Sequence, residues 1–428
     1  MKPKFKLAVI LFFVCGVVSF NSCNQIKSSS SQTDFLDVKG IDSSVRPQDD
    51  FFHYVNGTWI KNTEIPASES AWGAGSILYQ STNQNLKALL DSCAKLNASK
   101  GTNEQKVGDF YASAMDSSAI EQKGISPLQQ DLQRIAAIQN ANDVLHEVAT
   151  EYNTNLSPIF SFYVNQDDKN SNAIVAHFDQ GGLGLPNKDF YTKQDADTKN
   201  IRDAYVKYIT KILTLAGDDS AAAKQEAPEV MQIEYQLANA SKTPVELRDP
   251  EANYHKIAVT DFAKQASNIN WQQLLNELGV KQDTLFVGQP QFYSTLSGMI
   301  QSVPVNDWKN YLRFHLIDSY APYLSSAFVN ANFDMNKLLS GAKELQPRWK
   351  RMTALTDGQL GDALGQLYVK EYFPPEAKQR ILDLINNLQQ AYKERIEQLS
   401  WMSDSTKQKA LVKLNAITKK IGYPDKWK

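Results

Sequence analysis

Apolar residues recur every three or four positions along most of the chain after residue 76, which is the spacing of one face of an α-helix. The clearest stripe follows Pro374 and Pro375, a pair that suits the start of a helix. A further helix is predicted beyond it, with Ser403 or Asp404 as its capping residue. The pattern therefore predicts a mainly α-helical protein. The stripe has seven apolar members: Ile381, Leu384, Ile385, Leu388, Tyr392, Ile396 and Leu399.

A smaller part of the chain has the pattern of β-strands. Residues 157–164 and 173–178 are rich in Ile, Val, Phe and Tyr, and a polar segment separates them. This arrangement predicts a β-hairpin, and a second short strand is predicted at Thr284–Val287. Cys93 falls on the apolar face of a predicted helix, so we expect its thiol to be buried. The expected fold is a large helical lobe with a small β-hairpin.

The start of the chain has the features of a secretory signal peptide. Lys2, Lys4 and Lys6 precede the apolar run 7–18. A helix of that length rises about 18 Å, which is too short to cross a hydrocarbon core of about 30 Å. We therefore interpret residues 1–22 as a leader that directs export and is then removed.

Cys23 follows the small residue Ser22 directly after this leader, an arrangement that resembles a bacterial lipobox. We predict lipid attachment at Cys23, a polar tether over residues 23–45 and a folded domain over 46–428. Acyl chains contribute about 0.8 kcal/mol per buried methylene, so the prediction places the protein in the bacterial cell envelope as a membrane-anchored lipoprotein. The alternative is a plain signal peptide cut nearby, with Cys23 incidental.

Charge and cysteine content exclude two classes of protein. The 428 residues include 45 Lys and Arg against 47 Asp and Glu, a formal net charge of −2. This balance gives no basic excess for nucleic-acid binding. Three cysteines in a chain of this length exclude a disulfide framework.

Local catalytic motifs are few. A common type of zinc hydrolase needs two histidines four residues apart on a helix, with a glutamate after the first. His146-Glu147 meets half of this pattern, but Thr150 occupies the place of the second histidine. We interpret it as an ordinary His–Glu pair on a helix surface. The glycine-rich residues 181–186 lack the ending of a phosphate-binding loop and predict a tight turn before Asp189-Phe190-Tyr191.

Five segments in a fixed order carry a more specific pattern. The first is Arg-Pro-Gln-Asp-Asp-Phe-Phe-His-Tyr-Val-Asn-Gly-Thr-Trp at 46–59 with Ile65-Pro66, and the second is Trp72-Gly73. The third is Gly-Leu-Gly-Leu-Pro at 182–186 with Asp189-Phe190-Tyr191, and the fourth is Leu-Gly-Gln-Leu-Tyr-Val at 364–369. The last is Trp401-Met402 with Ile-Gly-Tyr-Pro-Asp-Lys-Trp at 421–427. Together they resemble the N-terminal part of the neprilysin and endothelin-converting-enzyme family of zinc metalloendopeptidases. Each segment is weak alone, but the set spans nearly the whole predicted mature chain.

The resemblance implies the non-catalytic lobe of a two-lobed, neprilysin-like metallopeptidase. In that family the zinc site follows the Gly-Tyr-Pro-Asp-x-Trp segment, so zinc is expected in a catalytic half that these residues do not include, and no catalytic or metal residue is expected here. Trp72 and Gly73 are expected to line the chamber that encloses the substrate. Ala71 and Tyr79 stand where arginines of the animal neprilysin branch hold the substrate carboxylate, so carboxylate-directed release of dipeptides is not carried over.

We therefore expect the N-terminal, substrate-enclosing domain of a zinc metalloendopeptidase that degrades oligopeptides, inactive by itself. Its expected partners are peptide substrates, a downstream or separate catalytic domain, and a membrane through the lipid anchor. An exposed apolar surface is expected where the second lobe would lie. Two alternatives remain open: a non-enzymatic peptide-binding surface lipoprotein on the same lobe, and an unrelated helical surface lipoprotein, for instance one that binds glycans.

Overall fold

The computed structural model describes residues 38–154 and 156–428. The predicted leader 1–22 and the predicted lipid-attachment residue Cys23 lie outside the described residues. The chain divides into two compact units, one that ends at Glu64 and one that begins at Ile65.

In the described part of the first unit, residues 38–64, helix α1 (Phe51–Asn62) follows a 3-10 turn at Val38–Gly40. The side chain of Asp50 caps α1 by accepting a hydrogen bond from the His53 amide at 2.9 Å. Asp42 accepts from Nζ of Lys61 at 2.6 Å, which lowers the pKa of this carboxyl to about 2, with a further contribution from Ser44. The preceding segment is thereby fixed against the helix.

Helices make up most of the second unit. Pro374 and Ser403 precede the helices predicted from them, and the Ser403 side chain accepts from the Thr406 amide at 3.3 Å, so both predicted starts are confirmed. The helices, in chain order, are α2 (Ala74–Lys95), α3 (Asn103–Met115), α4 (Ser117–Lys123), α5 (Gln129–Ala136), α6 (Ala141–Tyr152), α7 (Asp189–Thr192), α8 (Ala196–Leu215), α9 (Ser220–Ala240), α10 (Val259–Gln265), α11 (Trp271–Glu277), α12 (Pro290–Ser302), α13 (Val305–Tyr320), α14 (Ser326–Ser340), α15 (Arg348–Tyr372), α16 (Pro375–Gln398) and α17 (Asp404–Asn415).

A four-stranded sheet interrupts the helices, with strands in the order β1-β2-β4-β3. The predicted hairpin is confirmed as β1 (Phe160–Asp167) and β2 (Asn170–Gln180), which pair antiparallel. The predicted strand at Thr284–Val287 is β4, and it lies parallel to β2. A three-residue strand, β3 (Lys256–Ala258), completes the sheet against β4.

The main hydrophobic core lies between this sheet and the helices around it. Phe178 of β2 contacts Trp271 edge to face at 5.8 Å between ring centroids, and Phe262 lies 4.3 Å from the same indole. These three side chains are fully or almost fully buried, together with Tyr293. Aromatic rings bury large apolar areas, so this cluster holds the hairpin against α10, α11 and α12.

A second, smaller core joins α2, α3 and α15. Leu90 and Cys93 of α2 are buried in it, which confirms the predicted position of Cys93. The backbones of α2 and α3 lie in close contact here: a Cβ atom added to Gly108 of α3 would lie 2.4 Å from the carbonyl oxygen of Cys93 in α2. Burial also raises the pKa of the Cys93 thiol above its usual value. No helix among the described residues is both long and apolar enough to cross a membrane.

Candidate functional site

Trp72 and Gly73, the residues predicted to line the substrate chamber, lie together at the start of α2. Gly73 is the N-cap of the helix in an extended conformation, and no heavy atom lies within 4 Å of the place where its Cβ would be. Trp72 is partly buried. The first turns of α2 expose large apolar side chains at Leu78 and Tyr79. This end of α2 is thus an open surface on which crowding does not require a glycine.

The charges near this surface lie on neighbouring elements. Lys350 of α15 donates to Oε1 of Glu69 at 2.5 Å and lies 5.9 Å from the centroid of the Tyr79 ring. Ala71 and Tyr79 themselves carry no positive charge at neutral pH. The positive charge of Lys350 beside Tyr79 is therefore already paired with Glu69.

The glycine-rich segment forms a turn whose position is set by a buried carboxylate. Glu234 of α9 is fully buried and accepts from Tyr191 Oη at 2.5 Å and Tyr205 Oη at 2.8 Å. It also accepts from the Gly184 amide at 3.3 Å, and Nε2 of His315 lies 2.9 Å away. A carboxylate only accepts hydrogen bonds, so this contact is a hydrogen bond in the His315 tautomer that has its proton on Nε2. Glu234 therefore gathers donors from four parts of the chain.

Close contacts, one with backbone and one with a side chain, explain two of the glycines in this turn. Gly182 has a φ of +77°, and a Cβ there would lie 2.4 Å from the Ile159 carbonyl oxygen. A Cβ on Gly184 would overlap the Tyr205 hydroxyl. The turn then runs into α7, as the sequence predicts, and forms one wall of a groove of about 700 Å³ with Lys188 and Lys242. Both lysines donate to backbone carbonyls: Lys188 to Ser241 at 2.7 Å and Lys242 to Ala252 at 3.1 Å.

The described residues do not fit a catalytic zinc ion. Such a site needs three protein ligands around an open position. Across residues 38–154 and 156–428, no three His, Cys, Asp or Glu side chains come close enough to hold a metal. The His146-Glu147 pair is split, because His146 lies 3.2 Å from Glu277 whereas Glu147 pairs with Arg134. The interpretation of this pair as lying on a helix surface is wrong for Glu147, which is buried and paired with Arg134.

The apolar stripe predicted after Pro375 lies on the surface of α16. This helix has no buried residue, and four side chains of the stripe are between 42% and 57% exposed: Ile381, Leu384, Leu388 and Tyr392. The neighbouring α17 also has no buried residue and exposes Val412, while Trp401 between the two helices is 75% exposed. We name the exposed apolar side chains of α16 the α16 stripe. Contiguous apolar patches on a protein surface are typical of interaction sites.

The end of the chain contacts the helices before it. Nζ of Lys378 donates to the Tyr423 carbonyl at 2.9 Å and lies 4.4 Å from the centroid of that ring. Trp427 stacks on Tyr423 with ring planes 8° apart, and a Cβ on Gly365 would lie 3.2 Å from the Trp427 ring. The motif at 421–427 thus fixes the end of the chain against α15 and α16.

Comparison with known proteins gives the family. Residues 47–424 match the family model Peptidase_M13_N, described as peptidase family M13. The chain belongs to this family. Human endothelin-converting enzyme 1 is 30% identical over 403 residues, which is 91% of this chain and 52% of that protein. Neprilysin-3 of Drosophila melanogaster is 28% identical over 412 residues, again 91% of this chain and 52% of the relative.

Solved structures of M13 peptidases have the same fold. The zinc metalloprotease ZMP1 of Mycobacterium tuberculosis in complex with an inhibitor aligns with a TM-score of 0.85 at 34% identity, over 92% of this chain and 60% of that one. PepO of Lactobacillus rhamnosis aligns with a TM-score of 0.80 at 21% identity, over 89% and 60%. The predicted mainly helical lobe of a neprilysin-like peptidase is thereby confirmed. The chain spans about half the length of the relatives it matches in sequence.

The sequence indicated some of these features and missed others. Trp72 and Gly73 are adjacent in the chain and remain so in the structure, and their role in the substrate chamber stays a prediction. Glu234 was missed, because one glutamate among many on an amphipathic helix has no local signal. The sequence contained only an indirect signal for Glu234, namely the glycine-rich turn before Tyr191. Such a turn needs a hydrogen-bond partner elsewhere in the chain to hold it in place.

Proposed function

We propose that this chain is the substrate-enclosing N-terminal lobe of a neprilysin-like zinc metalloendopeptidase that degrades oligopeptides. The observation that carries the proposal is the M13 match over residues 47–424 in a chain that spans about half of its relatives. These 428 residues contain no His-Glu-x-x-His sequence, and the described residues do not assemble a metal site. Zinc and the catalytic residues would therefore belong to a second half, in the same polypeptide or in a separate one.

The α16 stripe supports the presence of such a second half. Removal of apolar surface from water is favourable by about 25 cal/mol per Å². Side chains that stay exposed do not contribute this free energy. Helix α16 has 24 residues and none of them is buried in its own lobe. Its apolar side chains are therefore suited to packing against a second lobe. We propose that the catalytic half covers the α16 stripe.

The decisive experiment compares the chain alone with the chain supplied with a catalytic half. The purified chain should bind no stoichiometric zinc and cleave no oligopeptide. The C-terminal half of an M13 relative, fused or added as a second chain, should restore cleavage that a chelator blocks. The matched control is the same fusion with the first histidine of its His-Glu-x-x-His sequence replaced by alanine, which should stay inactive.

Two outcomes would contradict this proposal. Chelator-sensitive cleavage by the chain alone that survives His146→Ala would place an active site within these residues. Peptide binding by the chain, with no catalytic half able to restore cleavage, would favour the alternative of a non-enzymatic peptide-binding lipoprotein.

We also propose that Cys23 anchors the protein to a membrane of the bacterial cell envelope. Cys23→Ala should release the protein from the membrane fraction and abolish incorporation of labelled fatty acid. Ser22→Ala is the control, because it keeps a small residue before the cysteine and should leave both readouts unchanged. Unchanged fractionation of Cys23→Ala would reject the anchor without affecting the peptidase proposal.

The chamber residues can be tested in the restored enzyme. Trp72→Ala removes a partly buried indole at the start of α2 and should weaken cleavage of oligopeptides, mainly through KM. The neighbouring Ser76→Ala is the control, since it lies in the first turn of α2, just after Trp72, and changes little surface. Unchanged kinetics for Trp72→Ala would remove this residue from the substrate chamber.

A further inference from the structure

One cavity of the second unit contains an arginine that forms no ion pair with a carboxylate of the described residues. The cavity has a volume of about 360 Å³ and lies between the segment at 68–70, helix α14, the loop at 342–346 and the first turn of α15. Backbone hydrogen bonds fix two of its walls together, because the amides of Lys343 and Glu344 both donate to the Ala67 carbonyl, at 2.8 and 3.0 Å.

Arg351 of α15 lines this cavity with its guanidinium held in place. Nε donates to the Gln346 carbonyl and Nη1 to the Pro322 carbonyl, each at 3.2 Å. These bonds use two of the five N–H donors of a guanidinium. No ion pair to Arg351 occurs among the described residues, and its remaining donors are available to a ligand. Burial and the like charge of Arg348 lower the pKa of Arg351, as expected for a cation without a counter-ion.

The two carboxylates of the same cavity do not neutralise Arg351. Glu69 accepts from Lys350 at 2.5 Å and from Nε2 of Gln346 at 3.1 Å, so its charge is already matched. Glu344 is exposed to solvent, where screening weakens its effect. Arg348 adds another positive charge nearby, with its guanidinium bonded to the Ala114 carbonyl at 2.6 Å. The Arg351 guanidinium therefore has backbone carbonyl partners but no carboxylate partner among the described residues.

The rest of the lining suits a ligand that is partly apolar. Val329, Phe333 and Leu345 contribute an apolar wall, and Ser68 and Ser70 contribute hydroxyl groups. A volume near the lower end of the roughly 300–1,000 Å³ typical of ligand pockets restricts the ligand to about one or two residues of a peptide. A planar guanidinium binds a carboxylate through two parallel hydrogen bonds.

We propose that this cavity is a binding site for a carboxylate attached to an apolar group, namely the C-terminal residue of a peptide. Arg351 binds the carboxylate, and the wall around Phe333 contacts the terminal side chain. The choice of a peptide as the source of the carboxylate rests on the proposed function, whereas binding of the carboxylate does not. An apolar organic acid offers the same chemistry, and the experiment separates the two sources.

The test measures binding to the full chain, without zinc or a catalytic half, by isothermal titration calorimetry. The probes are N-acetyl-phenylalanine, its C-terminal amide, and 3-phenylpropionate, which has a carboxylate but no peptide group. N-acetyl-phenylalanine should bind at least about tenfold more tightly than the amide, since hydrogen bonds to a charged group contribute about 1.5–3 kcal/mol. It should also bind more tightly than 3-phenylpropionate.

Three variants assign the effect to this cavity. Arg351→Gln should remove the preference for the acid over the amide, and Arg351→Lys should recover part of it. Lys343→Gln removes the same formal charge from the adjacent loop and should keep the preference. Glu344→Gln should tighten binding of the acid but not of the amide, because it removes a negative charge from the cavity wall.

Several results would overturn the inference. Equal binding of acid and amide to the unsubstituted chain, or no binding of either, would reject the carboxylate site even if Arg351→Gln fails to fold. A preference that persists in a folded Arg351→Gln variant would reject the role of Arg351. Equal binding of 3-phenylpropionate and N-acetyl-phenylalanine would reject the peptide as source. None of these results bears on whether a catalytic half restores zinc-dependent cleavage.

Discussion

Nε2 of His315 lies 2.9 Å from Oε1 of Glu234, and the carboxylate of Glu234 is fully removed from solvent. This pair joins α13 to α9, and the Tyr191 and Tyr205 hydroxyls and the Gly184 amide also donate to the carboxylate. Burying a charged group is costly unless its hydrogen-bonding capacity is satisfied. Here the donors satisfy it, so the network fixes the glycine-rich turn to the helical core.

Removal of this acceptor should be strongly destabilising. Glu234→Ala leaves the donors of Tyr191, Tyr205 and His315 buried without a partner, and breaking a buried network of this kind costs about 3–5 kcal/mol. Chemical denaturation should show that loss in the free energy of unfolding. Gln232→Ala, an exposed position on the same helix, should change it by less than about 0.5 kcal/mol. Similar values for the two variants would show that the network contributes little.

The carboxyl of Glu151 should make stability depend on pH. Burial, together with repulsion from Glu147, raises its pKa from 4.5 to about 8, and its Oε1 has no hydrogen-bond partner among the described residues. Because the folded state holds the proton more tightly than the unfolded state, this group's contribution to stability is complete below pH 4.5 and is lost as the pH rises to about 8. Each pKa unit corresponds to about 1.4 kcal/mol.

Glu151→Gln removes this titration. Its advantage in melting temperature over the unsubstituted chain should be larger at pH 8.5 than at pH 5, a comparison made by differential scanning fluorimetry. Glu121→Gln is the control on an exposed carboxylate and should show no such dependence. A constant difference between Glu151→Gln and the unsubstituted chain across this range would mean that Glu151 titrates near its ordinary pKa.

Two glycines should respond in opposite directions to alanine. Gly182→Ala places a Cβ at positive φ and 2.4 Å from the Ile159 carbonyl, so we expect a loss of more than about 1 kcal/mol in the free energy of unfolding. Gly75→Ala lies in α2 with no heavy atom within 4 Å of its Cβ and should stabilise the protein by up to about 1 kcal/mol. Thermal melts of the two variants compare them directly, and a stabilising Gly182→Ala would contradict the geometry of the turn.

We expect the α16 stripe to contribute little to the stability of the lobe and to be required for association with the catalytic half. Leu384→Gln with Leu388→Gln should change the free energy of unfolding of the chain by less than about 0.5 kcal/mol per site, because both side chains are exposed. The same double variant should bind less of an apolar fluorescent dye and fail to associate with the catalytic half in size-exclusion chromatography. Gln390→Ala, on the polar side of the helix, should associate normally. Association that survives the double substitution would place the interface elsewhere.

The sequence predicted the elements of this fold better than their pairing. Local signals sufficed for the hairpin, for the strand at Thr284–Val287 and for the helix start at Pro374, since each depends on residues close together in the chain. The parallel pairing of His177 with Phe286 was not predictable, because it joins strands more than a hundred residues apart. The three-residue strand at Lys256–Ala258 is too short to have a pattern of its own.

The candidate sites show the same limit. Trp72 and Gly73 could be selected because they stand side by side in a recognisable segment. Arg351 and Ser68 line one cavity although they are far apart in sequence, and an arginine in a predicted helix ordinarily indicates only a solvated face. That Arg351 has no carboxylate partner among the described residues could be recognised only from the geometry around it.

The buried position of Cys93 has a practical use in spectroscopy. Its thiol is 5% exposed and its pKa is raised by burial, so it reacts slowly with maleimides and methanethiosulfonates, which attack the thiolate. With Cys15 and Cys23 substituted, one new cysteine on the surface of α16 would therefore accept a fluorescent or spin label while Cys93 stays in place. Distances from such a label to a second protein could then be followed in solution without disturbing the contact between α2 and α3.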